Sequence, residues 1–203
     1  MAKPEWIARQ SAHPSGLVGH VVARVMAFDS ADVNRRAVAR LDPQPGERIL
    51  ELGCGHGRTL RRVADRVGQG FAAGVDPSQV MLAVARGHLR REIAAGRVRV
   101  DEGDAARIPH ADAEFDKAFS VNTIYFWPHL DAGLLELHRV LRPGGELLLV
   151  FRDGRDSAAS AELPASVYTL RSAEEVEDAL EAACFRVVTS EVDDGYAFAC
   201  AHR

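Results

Sequence analysis

The segment RILELGCGHG, residues 48–57, joins an apolar run to three glycines at alternate positions. The run 48–52 predicts a short strand, and Leu60, Val63 and Val67 predict a helix directly after the glycines. Glycines at such a turn let the backbone bend tightly and let a ligand approach it, while the first amides of the helix attract a negative group. A ligand site is therefore predicted at the carboxyl end of this strand.

Strand and helix patterns alternate on the carboxyl side of this segment. Short apolar runs predict further strands at 71–75, 97–100, 115–121 and 146–151, and helical patterns lie near 57–67, 77–89 and 130–141. Such alternation is typical of βαβ crossovers, which build a mostly parallel sheet with helices on both faces. The predicted fold class is α/β, with a doubly wound, Rossmann-like sheet.

The residues after the fifth predicted strand extend this sheet. Residues 152–169 look polar and irregular, and Ser172 with Glu175 predicts a capping box at the start of a helix. Two β-rich runs, 185–192 and 196–200, are separated by Asp-Asp-Gly and predict an antiparallel hairpin at the sheet edge. The complete sheet is therefore expected to have seven strands.

Residues 1–42 are predicted to be a helical appendage on a core formed by residues 43–203. Helical apolar patterns at 17–26 and 33–41 precede a break rich in proline and glycine. If the architecture is right, the appendage and segment 152–169 flank one end of the sheet and could form a lid. Covering a sheet face and forming a dimer contact are the alternatives.

Composition excludes several classes of protein. The 203 residues carry 25 basic and 29 acidic side chains, a net charge of −4, which lacks the basic excess that nucleic-acid binding requires. Three scattered cysteines do not suit a disulfide framework, and no metal-ligand spacing occurs, so no metal is expected. No apolar run reaches the roughly 18–20 residues of a membrane span, and residues 1–10 lack the apolar core of a signal peptide.

These features predict a cytoplasmic protein that binds neither membrane nor nucleic acid, as a monomer or homodimer. Only two of the 25 basic residues are lysine, a bias typical of a GC-rich bacterial genome.

Spacing separates the nucleotides that the glycine loop could bind. The dinucleotide pattern G-x-G-x-x-G needs a third glycine where Arg58 or Leu60 stands, and no Gly-Lys-Ser/Thr of a phosphate loop follows. NAD and FAD are therefore disfavoured. The alternative is that the glycines bind no ligand and are needed only because larger side chains would clash in the tight turn.

Asp76 closes the second predicted strand, 23 residues after Gly53. An acidic side chain there can accept hydrogen bonds from ribose hydroxyls. The alternative is a helix N-cap, with Pro77 at the first helical position and Gln79 completing a capping box. The distance from the glycine loop favours the ribose role.

Four motifs in order carry a resemblance to a known family. They are residues 49–57 with Asp76-Pro77-Ser78, then Gly103-Asp104-Ala105 with Ile108-Pro109, then Phe115-Asp116, and finally RVLRPGG at 139–145. Together they resemble the class I S-adenosylmethionine-dependent methyltransferases, in particular small-molecule enzymes of the methyltransferase type 11 kind. The resemblance covers about residues 45–151 well, the tail loosely and residues 1–42 hardly at all.

The resemblance implies an S-adenosylmethionine pocket at the carboxyl ends of the first, second and fourth strands. The implied cofactor residues are Glu51, Gly53, Cys54, Gly55 and Gly57 for the methionine part, Asp76 for the ribose, Pro77 and Ser78 beside the adenosine, Asp104 and Ala105 for the adenine, and Ser120, Val121 and Asn122 beneath the methyl group. A simple turn role is the alternative for Asp104. The chain departs from the family pattern at two positions. Cys184 follows the helix that starts near Ser172, where the family usually has glycine, so the geometry of this helix end stays open. His56 is unusual in the glycine loop, and the alternative is that it only faces solvent.

The residues after the fourth predicted strand are candidates for the chemistry. A sulfonium cofactor carries its own leaving group, so the protein has to place an acceptor in line with the methyl group and exclude water. The aromatic residues Tyr125, Phe126 and Trp127 suit an organic acceptor, and His129 suits a proton acceptor. Tyr125 and His129 are the predicted catalytic residues. The alternative is that this segment only packs against or caps the next helix.

The predicted function is in-line transfer of a methyl group from S-adenosylmethionine to oxygen, nitrogen or carbon of a small organic acceptor, with S-adenosylhomocysteine as the product. Asn122 is not followed by Pro-Pro-Tyr or Pro-Pro-Phe, which weighs against adenine, glutamine and some RNA acceptors. The alternatives are a non-methylating enzyme that uses the same cofactor, a nucleotide-dependent oxidoreductase and a noncatalytic binding module.

Overall fold

A seven-stranded sheet organises the part of the chain that the computed structural model describes, which is residues 4, 5, 7, 8 and 30–203. The strand order is β3-β2-β1-β4-β5-β7-β6. The strands are β1 Arg48–Leu52, β2 Phe71–Asp76, β3 Val98–Glu102, β4 Phe115–Val121, β5 Leu141–Arg152, β6 Arg186–Asp193 and β7 Tyr196–His202. Strands β1 to β5 are parallel, and β7 pairs antiparallel with both β5 and β6. The predicted sheet with a hairpin at its edge is confirmed.

Helices cover both faces of the sheet, because successive residues of a strand point to opposite faces and the central strands β1 and β2 are buried on both. In β1, Ile49 packs into one apolar cluster and Leu50 into the other. The helices are α1 Ala31–Leu41, α2 Arg58–Val67, α3 Gln79–His88, α4 Arg90–Ala94, α5 Leu130–Val140, α6 Ser157–Glu162 and α7 Ala173–Ala182, with a 3-10 turn at Ile124–Phe126. Helices α1, α2 and α3 pack on the face of Ile49, and α5 and α7 pack on the face of Leu50.

Two helix starts differ from the sequence predictions. Helix α3 begins at Gln79 with Ser78 as its N-cap, whose Oγ accepts from the Met81 amide at 3.4 Å, so the N-cap alternative for Asp76 is wrong. Residues 152–169, expected to be irregular, contain α6, where Asp156 caps the helix by accepting from the Ala158 amide at 2.9 Å.

Strand β5 contains a bulge that the sequence did not predict. Leu141 already pairs with Phe115 of β4, and the pairing resumes between Glu146 and Lys117. Four residues, 142–145, therefore bulge out of the strand against a single residue of β4.

The capping box at the start of α7 is confirmed, since the Glu175 amide donates to Ser172 Oγ and the Glu175 carboxylate accepts from the Ser172 amide. At the other end of α7, Cys184 adopts the left-handed conformation with φ 68°. The Cys184 amide donates to the Glu181 carbonyl and the Phe185 amide to that of Leu180, each at 3.0 Å. Cysteine therefore takes the conformation that glycine usually provides at a helix end.

Helix α1 is the second of the two helices predicted for the appendage, while the predicted pattern at 17–26 lies outside the described residues. Arg36 and Arg40 donate to Asp193 and Glu191 at 2.5 and 2.6 Å. Both guanidinium groups also lie over the Phe198 ring, 4.8 and 4.6 Å from its centre. Helix α1 is thus joined to the β6–β7 hairpin.

Candidate active site

A cavity of about 390 Å³ opens where β1, β2 and β4 end. Its wall is formed by residues 51–56, 76–77, 104–106, 121–123 and 126–129. Helices α1, α2 and α3 contribute Asn34, Thr59 and Met81, and Ser30, the N-cap of α1, completes the wall. The ligand site predicted at the end of the first strand therefore coincides with a cavity built from several strand ends.

Most of the site residues predicted from the sequence line this cavity. They are Glu51, Gly53, Cys54, Gly55, Asp76, Pro77, Asp104, Ala105, Val121, Asn122 and His129. Gly57, Ser78, Ser120 and Tyr125 lie outside its wall. Gly57 instead packs against α3, because a Cβ there would come within 2.8 Å of Leu89 Cδ1, and Ser78 caps the same helix.

The glycine loop is held against the ends of β2 and β4. Gly53 has φ 79°, and a Cβ at this position would lie 2.2 Å from Cγ2 of Thr123, which follows β4. The Gly53 amide donates to the Val75 carbonyl at 2.7 Å. Only glycine satisfies both the left-handed backbone and this close approach.

Asp76 ties the glycine loop to the start of α3. Its Oδ2 accepts from the Gly55 amide and its Oδ1 from the Ser78 amide, both at 2.9 Å. Asp76 thus supports the loop and lines the cavity at the same time.

Glu51 is the most unusual carboxyl group of the cavity wall. The residue is only 4% exposed, and its buried Oε2 has no hydrogen-bond partner in the described part of the molecule. Burial and the neighbouring Asp76 raise the pKa of Glu51 well above its ordinary value, against the opposing effect of the Leu60 amide. A buried carboxyl oxygen without a partner suits a ligand that brings a positive charge or an N–H donor.

Asp104 occupies the turn after β3. Its Oδ1 accepts from the amides of Ala106 and Arg107 at 2.9 and 3.0 Å. The turn role considered from the sequence is therefore confirmed. Because Asp104 also lines the cavity beside Ala105, its predicted contact with adenine stays a prediction.

Two further residues of the glycine loop are uncharged at neutral pH. Burial, together with Glu51 and Asp76, raises the pKa of the Cys54 thiol well above its ordinary value. Burial, Arg58 and His88 lower the pKa of His56 to about 4. His56 Nδ1 accepts from the Arg58 amide at 3.2 Å, and the ring lines the cavity instead of facing solvent alone.

Tyr125 lies behind the cavity wall and holds Asn122. Its hydroxyl donates to Asn122 Oδ1 at 2.9 Å and accepts from the Arg152 amide at 2.5 Å. Asn122 itself has φ 59°, a left-handed conformation, and donates its amide to the Val150 carbonyl at 2.8 Å. The structure therefore places Tyr125 outside the wall of the cavity, and burial raises the pKa of Tyr125 so that its hydroxyl keeps its proton.

His129 occupies the N-cap position of α5, and its side chain makes no capping hydrogen bond. It lines the cavity near Phe126 and Trp127. Ser30 and Asn34, which also line the cavity, had no sequence signal, because their position depends on how α1 packs against the core.

Among residues 4, 5, 7, 8 and 30–203, no group of three or more histidine, cysteine or acidic residues could hold a metal ion. No helix in these same ranges is long and apolar enough to span a membrane.

The sequence is similar to those of known methyltransferases. Residues 49–145 match the family model described as a methyltransferase domain. Methyltransferase GfsG of Streptomyces halstedii is 34% identical over 144 residues, which cover 68% of this chain and 51% of that protein. An O-methyltransferase of Pyrenophora dematioidea is 33% identical over 155 residues, which cover 73% of this chain and 58% of that protein.

Two crystal structures show the same fold. A SAM-dependent methyltransferase from Aquifex aeolicus has a TM-score of 0.69 at 23% identity, and the match covers 83% of this chain and 88% of that protein. The cyclase SpnF has a TM-score of 0.73 at 23% identity, and the match covers 85% of this chain and 80% of that protein. The chain spans about half the length of the curated relatives it matches.

Proposed function

We propose that the chain carries a methyltransferase domain of the class I S-adenosylmethionine-dependent family and transfers a methyl group from S-adenosylmethionine to a small organic acceptor, which its similarity to methyltransferases supports. The observation that carries this proposal is the buried, unpartnered Oε2 of Glu51 in the wall of a cavity that also holds Asp76 and Asp104. Three carboxyl groups around one cavity favour a cationic ligand, as this cofactor is.

The residues present fit the cofactor. When bound, S-adenosylmethionine supplies both the methyl group and its leaving group. Glu51 would accept from its ammonium group, Asp76 would accept from the ribose hydroxyls, and the turn at Asp104 would border the adenine. Gly53 and Gly55 would give the methionine part close access to the backbone.

His129 and Asn122 would serve the acceptor. His129 lines the cavity without a capping bond, so its ring is available to take a proton from an acceptor hydroxyl or amine. Asn122 has its side-chain oxygen bound by Tyr125, so its amide nitrogen remains to donate to the acceptor. No arginine or lysine lies in the described wall of the cavity, which favours an acceptor without a phosphate or carboxylate group.

A thermal-shift panel tests the cofactor assignment. S-adenosylmethionine and S-adenosylhomocysteine, each at about 100 times Kd, should raise Tm by about 5–10 °C, and NAD and NADP should not. Asp76→Asn should remove most of this shift, while Asp65→Asn, which neutralises an exposed carboxylate of α2, should keep it. Stabilisation by NAD or NADP alone would overturn the proposal.

Non-methylating chemistry is the second candidate, because the cyclase SpnF shares the fold. A methyl balance separates the two functions. Methyl transfer forms one S-adenosylhomocysteine for each methylated product, whereas a rearrangement leaves the cofactor unconsumed.

Residues 1–42 are proposed to be an appendage that closes over the acceptor, which is supported by Ser30 and Asn34 in the cavity wall. Deleting residues 1–28 should spare cofactor binding and abolish turnover, and unchanged turnover would contradict this role. The composition further supports a bacterial cytoplasmic protein, and a monomer or homodimer is proposed as its oligomeric state. Light scattering of the purified chain would decide its oligomeric state.

A further inference from the structure

Two neighbouring aromatic side chains line the cavity but pack in different directions. The Phe126 ring lies 5.0 Å from the Tyr168 ring and 5.9 Å from the Tyr125 ring, centre to centre. Trp127 instead packs on α5, where a Cβ at Gly133 would come within 2.8 Å of Trp127 Cε3. The two rings therefore border different parts of the same cavity.

The position of Trp127 is defined by the same glycine. A Cβ at Gly133 would also lie 3.1 Å from the Cβ of Ala105, so the six-membered ring of the indole and the Ala105 methyl group converge on one point of α5. Trp127 is only 6% exposed, and its amide donates to the Ile124 carbonyl at 3.4 Å. The indole is thus held between α5 and the turn after β3 before any ligand binds.

We propose that Trp127 forms a wall of the adenine subsite, beside the turn at 104–106. This inference rests on the proposed function, since the adenine belongs to the cofactor. Asp104 and Ala105 offer polar groups to the edge of a purine, and the indole adds a flat apolar surface next to them. Trp127 therefore serves the cofactor, although its place beside Phe126 in the sequence suggested an acceptor wall.

An aromatic side chain suits this position for two reasons. Every purine presents a π face that packs on an aromatic ring, and this contact is stronger when the ring is already fixed. A buried indole also excludes water from the hydrogen bonds at the purine edge, which strengthens them. Helix α5 provides the rigid support, because its glycine at 133 allows the ring to approach the helix backbone closely.

Intrinsic fluorescence reports on this contact directly, because the chain has only two tryptophans, Trp6 and Trp127. In Trp6→Phe, the remaining signal comes from Trp127. Titration with S-adenosylhomocysteine and with methylthioadenosine, which keeps the adenosine but lacks the amino acid, should change this signal. In Trp127→Phe, which keeps Trp6, the change should be lost or much smaller. Binding of both ligands to Trp6→Phe without any change in fluorescence would overturn the proposal.

Calorimetric affinities provide the second test. Trp127→Leu should bind both ligands about 5- to 100-fold more weakly, the range expected for loss of a base stacked on an aromatic ring. The control Leu135→Ala removes an exposed side chain of α5 outside the cavity wall and should leave both affinities near those of the wild type. Glu51→Gln should weaken S-adenosylhomocysteine alone, because methylthioadenosine has no ammonium group.

The outcomes separate this proposal from the proposed function. If Trp127→Leu binds methylthioadenosine as tightly as the wild type, Trp127 is not part of the adenine subsite. If the wild type binds neither ligand, the proposed function itself fails. Should Trp127→Leu not fold, the fluorescence titration of Trp6→Phe decides on the otherwise intact chain.

Discussion

At the scale of single residues, we expect Glu51 to couple its protonation to ligand binding. The buried carboxyl has a raised pKa, so below that pKa it is neutral in the free protein. A ligand ammonium group favours the carboxylate, so binding lowers this pKa and releases a proton. Affinity should therefore increase as the pH rises through the pKa of the free carboxyl and level off above it.

This linkage can be measured by titrating S-adenosylhomocysteine calorimetrically from about pH 5 to about pH 9, the range that buried carboxyls reach. Two buffers with different ionisation enthalpies give the number of protons released. Glu51→Gln should bind about tenfold or more weakly, as expected for loss of a charged hydrogen bond, and should lose this part of the pH dependence. An unchanged pH profile in Glu51→Gln would contradict the assignment.

Tyr125 acts on the site through Asn122. Tyr125→Phe removes the donor to Asn122 Oδ1 and the acceptor of the Arg152 amide, so it should lower the free energy of unfolding by about 1–3 kcal/mol. Because Asn122 loses its side-chain anchor, kcat should fall while the affinity for S-adenosylhomocysteine changes little. Urea denaturation and steady-state kinetics check the two effects. A pure loss of stability with unchanged kcat would limit Tyr125 to a structural role.

Sequence patterns identify site residues that stand at the end of a predicted strand, because the strand end itself fixes their position. Glu51 and Asp76 could be predicted because each stands where a strand ends beside a glycine-rich or proline-containing turn. The role of Tyr125 could not be predicted, since the Arg152 amide that its hydroxyl binds lies in β5, 27 residues further along the chain. The position of Trp127 against Ala105 was equally hidden, because it depends on how α5 crosses the turn after β3.

At the scale of secondary-structure elements, the end of α7 offers a simple test of backbone strain. A left-handed conformation costs a residue with a Cβ roughly 1–2 kcal/mol, and glycine largely avoids this cost. Cys184→Gly should therefore raise the free energy of unfolding by about 1 kcal/mol, after allowing for the greater flexibility of glycine in the unfolded chain.

Urea denaturation of two variants isolates this effect. Cys184→Ala removes the exposed thiol but keeps the strained backbone, so its stability should stay near that of the wild type. Equal stability of the glycine and alanine variants would show that the left-handed backbone carries no cost at this position.

Elements with a strong local signal were predictable, and short or irregular ones were not. The capping box of α7 and the hairpin turn each depend on residues that are close together in the sequence. In the hairpin turn, Asp194 and Gly195 both adopt the positive φ that such a turn requires. Helix α6 has only six residues and no apolar stripe, so periodicity could not reveal it. The bulge in β5 was missed because residues 142–145 have the composition of a turn, whereas Leu141 is already paired with β4.

At the scale of the whole molecule, α1 connects the hairpin edge of the sheet to the cavity. Its Arg36 and Arg40 bind the hairpin, and Asn34 lines the cavity. Replacing both arginines by alanine should lower the free energy of unfolding by about 1–2 kcal/mol, from two exposed ion pairs and two contacts with one aromatic ring.

High salt distinguishes the two contributions. In 1 M NaCl the ion pairs are screened, so the loss should shrink towards the part that the ring contacts supply. Arg62→Ala, on the exposed face of α2, is the matched control and should have little effect. A loss that does not depend on salt would rule out the ion pairs as a source of stability.

The overall topology could be predicted because alternating strands and helices allow few arrangements, and parallel crossovers have one preferred hand. The contact between α1 and the cavity could not, because an amphipathic helix reveals which face it buries but not against which element. For the same reason, Ser30 and Asn34 carried no signal of their own.

The insertion of β7 between β5 and β6 has a consequence for how the protein is made. A ribosome delivers the strands in chain order, so β5 waits with an open edge until residues 196–202 emerge. During that interval β6 has no neighbour in the sheet, because its pairing partner is β7. Nascent or truncated chains that lack these residues would expose the apolar β5 edge to other chains, which makes aggregation during synthesis a specific hazard of this strand order.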